Sequence, residues 1–379
     1  MKASLRFFNL VLLGLLLLAL SGCGDSNVVP EASAEEGEDA ACVTNPNCII
    51  VYTAQAESDY EKHLALFNRS HPDITVKVER DSTGIITDRI LAEKDAPRAD
   101  VIWAVATTSL LRAVAEGILE PYAPAGLTYE DGSFRVHPRA RDLDDPPMLV
   151  GIDVFMSAFC VNTDLLAQYN LPMPTGWADL TNPVYEGHIV MPDPGSSGTG
   201  YIAVASYFHL FGTPHENRAW DYLNALDRNI VLYTRSGSAP CNMAGKGQVP
   251  IGISYGKKAV DLQADGAPVV PVFPVEGSGW ELEANGLVRK NPTKDAAKIF
   301  LDWAISDEAM RSYATVFPLT SVETDVPLPP GYTQKGFGQL LQWRFIELAA
   351  KNQRIVEEWT ARYGAKSERV GAELPDAIN

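Results

Sequence analysis

Positive charge is in short supply: 31 Lys and Arg stand against 48 Asp and Glu in 379 residues, a formal charge of −17. A surface that neutralises nucleic-acid phosphates needs the opposite sign, so nucleic acid is excluded as a partner. Histidine is scarce as well. The six, at positions 63, 71, 137, 188, 209 and 215, include no pair at the i, i+4 spacing of a helical zinc site, and neither metal nor cofactor is expected. A Walker loop is missing, and Gly245-Lys246-Gly247 lacks the third glycine of a dinucleotide fingerprint. Gly195-Ser196-Ser197-Gly198-Thr199 ends in Thr where a nucleophile elbow needs Gly. With neither a metal cluster nor an activated nucleophile, an enzyme such as a secreted phosphatase is the weaker expectation, and a binding protein the stronger.

Long hydrophobic runs are lacking too. Leu10–Leu20 is eleven residues, about 16 Å as a helix against the roughly 30 Å of a bilayer core, and is therefore too short for a membrane span. It follows Lys2 and Arg6 and leads into Leu20-Ser21-Gly22-Cys23, which reads as a lipoprotein signal over residues 1–22 with Cys23 as the acylated first residue. The expected protein is exported and held at the membrane by that lipid alone. Residues 23–47 carry Asp25, Glu31, Glu35, Glu36, Glu38 and Asp39 with little that is large and apolar, a composition suited to a flexible acidic tether. Cysteine is sparse and odd in number at five, and assigning Cys23 to lipid leaves four. Cys42 and Cys48 can close a small loop over Asn45-Pro46-Asn47. Cys160 and Cys241 remain, either as a long-range disulfide or as buried thiols.

What the chain does have is 46% apolar residues and an alternation of short β-rich runs with helical stretches from Ile49 onward, the pattern of parallel α/β layers. Strands are predicted at 49–53, 75–79 and 99–104, with helices at 58–70, 83–94 and 108–116. The run 149–162 is long enough to cross between two lobes, and a second alternation follows from 188 to 273. Gly286–Val288 reads as a short return strand. Helices at 293–306 and 340–363 close the chain and are expected to pack back on the first lobe, dividing it as 48–150, 151–284 and 285–379.

Three Ser/Thr/Gly turns each follow a strand and open a helix: Ser82-Thr83-Gly84, Ser196-Ser197-Gly198-Thr199 and Ser236-Gly237-Ser238. Backbone N–H groups at a helix start, with hydroxyl donors and a favourable dipole, hold an anion without any lysine. Taken singly each is also an ordinary N-cap; converging, they would cradle a tetrahedral oxyanion.

The segments IIVYTA, RDSTGIITDRILAEKDAPRADVIWAVATTSLL, GIDVFMSAFCVNT, VMPDPGSSGTG, YTRSGSAPC, PIGISY and VFPVEGSGWE together resemble the periplasmic substrate-binding proteins of 2-aminoethylphosphonate ABC transporters. The resemblance runs from about Ile49 to Tyr363, within a wider group that includes ferric-ion and polyamine binders. It implies an α/β, two-lobed periplasmic binding protein fold of type II, ligand in the cleft, a monomer serving an ABC permease, and a Cys160–Cys241 pair. One departure is Tyr255-Gly256-Lys257-Lys258, where the family leads us to expect a bulky residue followed by an acid; Tyr255 is kept among the expected contacts. Against the ferric-ion alternative, 14 tyrosines include no adjacent pair to serve as anionic oxygen ligands. A hexose-phosphate or other organophosphate binder would use the same helix ends.

A buried ammonium needs a carboxylate, an aromatic face or both. Asp153 on the apolar GIDVF segment is the first expected partner and Glu276 the second, with Trp103 and Trp280 as aromatic faces. Ser82, Thr83, Ser196, Ser197, Gly198, Thr199, Ser236 and Ser238 are expected on the anion.

Overall fold

The computed structural model describes residues 42–127, 146–322, 324–328, 332 and 340–370; the expected signal at 1–22, Cys23 and most of the expected acidic tether lie outside them. In chain order the elements are β1 (Cys48–Thr53), α1 (Glu57–Ser70), β2 (Thr75–Arg80), α2 (Thr83–Ala92), β3 (Val101–Ala106), α3 (Thr107–Ala115), β4 (Leu119–Glu120) and β5 (Val150–Asn162). There follow α4 (Thr163–Tyr169), β6 (Ile189–Pro192), α5 (Gly198–Leu210), α6 (Asn217–Asn229), β7 (Ile230–Thr234), α7 (Ala239–Gly245), β8 (Ile251–Tyr255) and α8 (Gly256–Ala264). The chain then forms β9 (Val269–Val272), β10 (Trp280–Val288), α9 (Asp295–Trp303), α10 (Asp307–Ala314) and α11 (Phe345–Tyr363).

In the first lobe β1 runs parallel to β2 on one side and β3 on the other. Every residue of β1 and β3 is buried, as a parallel sheet covered by helices on both faces requires. Tyr60, Leu64 and Phe67 of α1 pack against the cluster that holds Val51, Val101 and Trp103. Asp100, 2% exposed, is matched by Lys290 at 2.9 Å, Lys294 at 3.1 Å and the Ile50 N–H at 2.9 Å, so its buried charge is paired.

The thirteen residues of β5 are all buried, and at about 3.3 Å per residue they reach far enough to serve two sheets. Their first half pairs antiparallel with β10, their second half with β8 and β9. The strand order is therefore β2-β1-β3-β10-β5-β8-β6-β7. The expected parallel layering holds for β1–β3 and for β6 with β7 and β8. It fails in the middle, where two strands pass between lobes in opposite senses. The predicted return strand at 286–288 begins six residues earlier, at Trp280, and its whole length is buried.

The C-terminal helix also departs from expectation. Phe345 and Ala349 lie against the first lobe, but Ile355, Trp359 and Tyr363 enter the cluster built by Phe159, Trp177, Tyr207 and Tyr233 of the second. Beyond it, Glu368 N–H donates to the Tyr233 carbonyl and the Glu368 carboxylate accepts from Arg235 N–H, both at 2.8 Å. An amphipathic pattern states that one face is buried and leaves open which lobe buries it.

Two disulfides join Cys42 to Cys48 and Cys160 to Cys241, with Cα separations of 5.0 and 5.2 Å. The second ties the crossing strand β5 to α7 across 81 residues. By loop-closure entropy such a link is worth at most about 4–5 kcal/mol. Cys160→Ala with Cys241→Ala should lower the unfolding free energy and steepen the urea slope, since the unlinked unfolded chain expands, and a loss below about 1 kcal/mol would show that the link does not constrain the unfolded chain.

Candidate functional site

The cleft takes its shape from two helix starts in different lobes. At the start of α2, Ser82 has extended backbone and makes no side-chain capping bond, so its hydroxyl is not consumed by the helix. At the start of α5, Ser197 is an N-cap whose Oγ accepts from Gly200 N–H at 3.3 Å. The two ends touch: Gly84 N–H donates to the Ser196 carbonyl at 2.9 Å. A Cβ on Gly84 would lie 2.0 Å from the Gly195 carbonyl oxygen, and one on Gly198 would lie 2.9 Å from Thr83 Oγ1. Glycine at these positions is what lets the backbones meet.

The third turn contributes differently from expectation. The helix it opens, α7, has seven residues, too few to give a useful dipole, and the loop offers hydroxyls instead, with Ser236 Oγ and Ser238 Oγ 3.1 Å apart. Gly237 sits so close that a Cβ there would meet Thr199 Oγ1 at 2.5 Å. Ser82, Thr83, Ser197, Gly198, Thr199, Ser236 and Ser238 thus line one cavity, in which the centre of a water-sized sphere can move over about 60 Å³.

The same cavity is lined by Arg80, Gln55, Asp59, Glu283, Tyr255, Phe155 and Phe317. Arg80 ends β2, directly before the first turn, and its Nε donates to the Gln55 carbonyl at 2.9 Å. Asp59, 4% exposed, pairs with Lys257 at 3.3 Å. Gly256 stands where the acid was expected, and Lys257 beside it ties α8 to α1, one element from each lobe. Burial pushes the Tyr255 hydroxyl well above its ordinary range, and the nearby Asp59 adds to this.

Among the other expected contacts, several fall elsewhere. Ser196 spends its hydroxyl on the Arg235 carbonyl at 3.0 Å. Trp103 is fully buried in β3 and donates through Nε1 to the Tyr313 hydroxyl at 3.0 Å, with Phe300 and Trp303 against its ring. Trp280 donates to the Leu341 carbonyl at 2.7 Å and packs on Phe345. Glu276 accepts the N–H groups of Trp177 and Ala178, both at 2.9 Å, and caps that turn. Asp153 lies beneath the cavity, fully buried, directly opposite Glu283 in the β5–β10 register. Burial and the facing carboxyl of Glu283 raise its pKa well above the usual carboxylate range, and burial raises that of Glu283 as well.

Comparison with known proteins places this arrangement. Residues 62–337 match the model of a family described as bacterial extracellular solute-binding protein. The chain belongs to that family. Its members and structural neighbours are binding proteins rather than enzymes. An uncharacterized Haemophilus influenzae protein is 28% identical over 321 residues, 82% of this chain and 89% of that one. A Salmonella typhimurium periplasmic protein named for 2-aminoethylphosphonate binding is 25% identical over 260 residues, 67% of this chain and 71% of that one. The periplasmic binding protein AfuA of Actinobacillus pleuropneumoniae, solved with fructose-6-phosphate bound, superposes with a TM-score of 0.73 at 26% identity, over 83% of this chain and 98% of that one. The solute-binding protein thus has the two-lobed α/β fold of type II periplasmic binding proteins.

Near the cleft, Glu281 is fully buried and accepts from Thr108 Oγ1 at 2.6 Å and Leu282 N–H at 3.1 Å; burial still pushes its pKa from 4.5 up to about 8. An acid whose folded pKa stands above its unfolded value binds more protons when folded, so its contribution to stability declines as pH rises between those two values. Glu281→Gln should flatten the fall in melting temperature between about pH 5 and pH 8 and leave the variant more stable than the parent above that range. Parallel melting curves for the two would place the proton elsewhere.

Proposed function

We propose that the protein captures 2-aminoethylphosphonate, or a closely related small phosphonate, and delivers it to an ABC permease from a lipid anchor at Cys23. The observation that carries this reading is that donor-rich turns and carboxylates line one small cavity. A doubly charged oxyanion needs many donors in a dry site, and the Ser82, Thr83, Ser197, Gly198, Thr199, Ser236 and Ser238 set supplies them, with Arg80 adding a positive charge. Glu283, Asp59 and Gln55 supply acceptors of the kind an ammonium requires. The Salmonella typhimurium relative supports the same solute.

Hexose phosphate is the second reading, favoured by the AfuA relative and its bound fructose-6-phosphate. A hexose phosphate, however, brings no ammonium to meet the carboxylates of Glu283 and Asp59 on the same wall.

Titration with 2-aminoethylphosphonate, ethylphosphonate, fructose-6-phosphate, inorganic phosphate and ferric ion tests the choice. The expected order puts 2-aminoethylphosphonate first, and tighter binding of fructose-6-phosphate would replace the first reading by the second. Thr199→Val keeps the shape of a residue on the cavity wall and removes one hydroxyl. Losing a hydrogen bond to a charged group costs about 1.5–3 kcal/mol, so affinity should drop tenfold or more while the melting temperature of the empty protein is kept. Gly84→Ala should weaken all of these phosphorus solutes alike, because its Cβ opposes contact between the lobes and touches no part of the cavity wall. Selective loss of one solute would contradict that.

A further inference from the structure

The sharpest unresolved feature lies under the cleft floor. Asp153 and Glu283 face one another on neighbouring antiparallel strands, the geometry in which like charges repel most directly. Asp153 is fully buried and Glu283 is 7% exposed, so water does not screen them. With both groups ionised, the oxygens of Asp153 and Oε2 of Glu283 have no donor among the described residues, so only a proton on one carboxyl can join the two. Beside them Gln55, 2% exposed, lines the same cavity as Glu283, and its amide has no partner other than the Glu283 carboxyl among the described residues. Polar atoms buried this deeply are satisfied in nearly every folded protein, so these are met by a proton between the carboxyls and by what occupies the cavity.

We infer that Asp153 and Glu283 share one proton while the cleft is empty and release it when a solute's ammonium group seats against Glu283 and Gln55. The inference rests on the reading of the solute as an aminoalkyl phosphonate. The charge balances: an O–H bond of the carboxyl pair breaks, the proton leaves to solvent, and the pair passes from one negative charge to two as the ammonium brings one positive charge. A pair of carboxyls this close cannot both ionise unaided, which is why the proton is held, and an adjacent cation is what makes the second ionisation favourable.

The surrounding groups fit this exchange. Asp59 from α1 adds a negative charge that favours keeping the proton, but Lys257 from α8 pairs with it at 3.3 Å and offsets its field. Arg80 from β2 lines the cavity, and Tyr255 from β8 and Tyr313 from α10, both held neutral by burial, face the pair without bringing charge. His63, one turn along α1 from Asp59, is kept uncharged by burial, so it is no competing cation. Apart from Arg80, a standing cation on the cavity wall, these neighbours are neutral or matched, and the incoming ammonium is the added charge that shifts the pair.

The test uses the whole soluble protein and two solutes. Calorimetric titration in buffers of differing ionisation enthalpy counts the protons exchanged per solute bound. For 2-aminoethylphosphonate the parent should release about one proton more than Asp153→Asn, while ethylphosphonate gives the same count in both; comparing the same solute in both proteins cancels any proton lost by the phosphonate itself. Equal counts for 2-aminoethylphosphonate in both proteins would overturn the shared proton while leaving the solute assignment in place. Should Asp153→Asn not fold, infrared difference spectra of the parent alone decide: adding 2-aminoethylphosphonate should bleach a protonated-carboxyl band that ethylphosphonate leaves intact. A band unchanged by a bound amine overturns the inference. Failure of 2-aminoethylphosphonate to bind, with the band lost on Asp153→Asn, overturns instead the assignment of the solute and the release tied to it.

Discussion

Carboxyl groups have to be kept dry in the strand pair that joins the two halves of this protein, because β5 and β10 are buried over their whole length and cannot turn a charged side chain outward. Asp153, Glu281 and Glu283 all stand in that pair. Each is handled by a different compensation: Glu281 accepts from Thr108 and a backbone N–H, Glu283 opens onto the cavity, and Asp153 has the facing carboxyl as its neighbour. A hydrophobic joint would be simpler to stabilise, since burying an acid costs several kcal/mol unless it is matched. That cost falls where the two lobes share a floor with the cleft, the one place where solute chemistry can offset it.

Around this floor the recognition of negative charge is left mainly to backbone and hydroxyl groups. Helix starts at Thr83 and Gly198 come from opposite lobes, and the Gly84 N–H to Ser196 carbonyl bond joins them at 2.9 Å. One of the donors at the start of α2 is thereby directed to the other lobe and not to the cavity. The cavity and the contact between lobes are then built from the same few residues, so geometry that favours one favours the other. Asp59 and Lys257 repeat the arrangement with side chains, one from each lobe.

Much of this was legible in the sequence. The alternation of β-rich and helical runs, the crossing segment at 149–162 and the Ser/Thr/Gly turns are local signals, and the folded chain brings most of those turns to one cavity. The solute-reading acids were harder. Trp280-Glu281-Leu282-Glu283 alternates as a strand does, yet alternating Glu also fits a solvent face, so the pattern by itself does not carry the strand back from Gly286 to a buried Glu283. Asp59 and Gln55 carry no pattern of their own, and Arg80 is visible only as the last residue of a strand whose end faces ligand, the position where open α/β sheets place their sites. Trp103, Trp280 and Glu276 failed for a common reason: aromatic rings and capping carboxylates look alike in sequence whether they serve a core, a turn or a ligand, and only the partner distinguishes them.

The placement of Trp359 has a consequence in time. Chains are made from the N-terminus, and the second lobe is encoded almost entirely before residue 290, yet its central cluster lacks Ile355, Trp359 and Tyr363 until the last stretch is present. Until then β7 also lacks the strand-edge partner supplied by residues 367 and 368. A nascent chain therefore carries an unfinished core through most of its synthesis, a state in which exposed apolar surface invites chaperones and keeps the polypeptide loose. For a member of an extracellular binding-protein family that delay is an advantage: the part that must stay unfolded to be threaded through a membrane is completed by the part that emerges last.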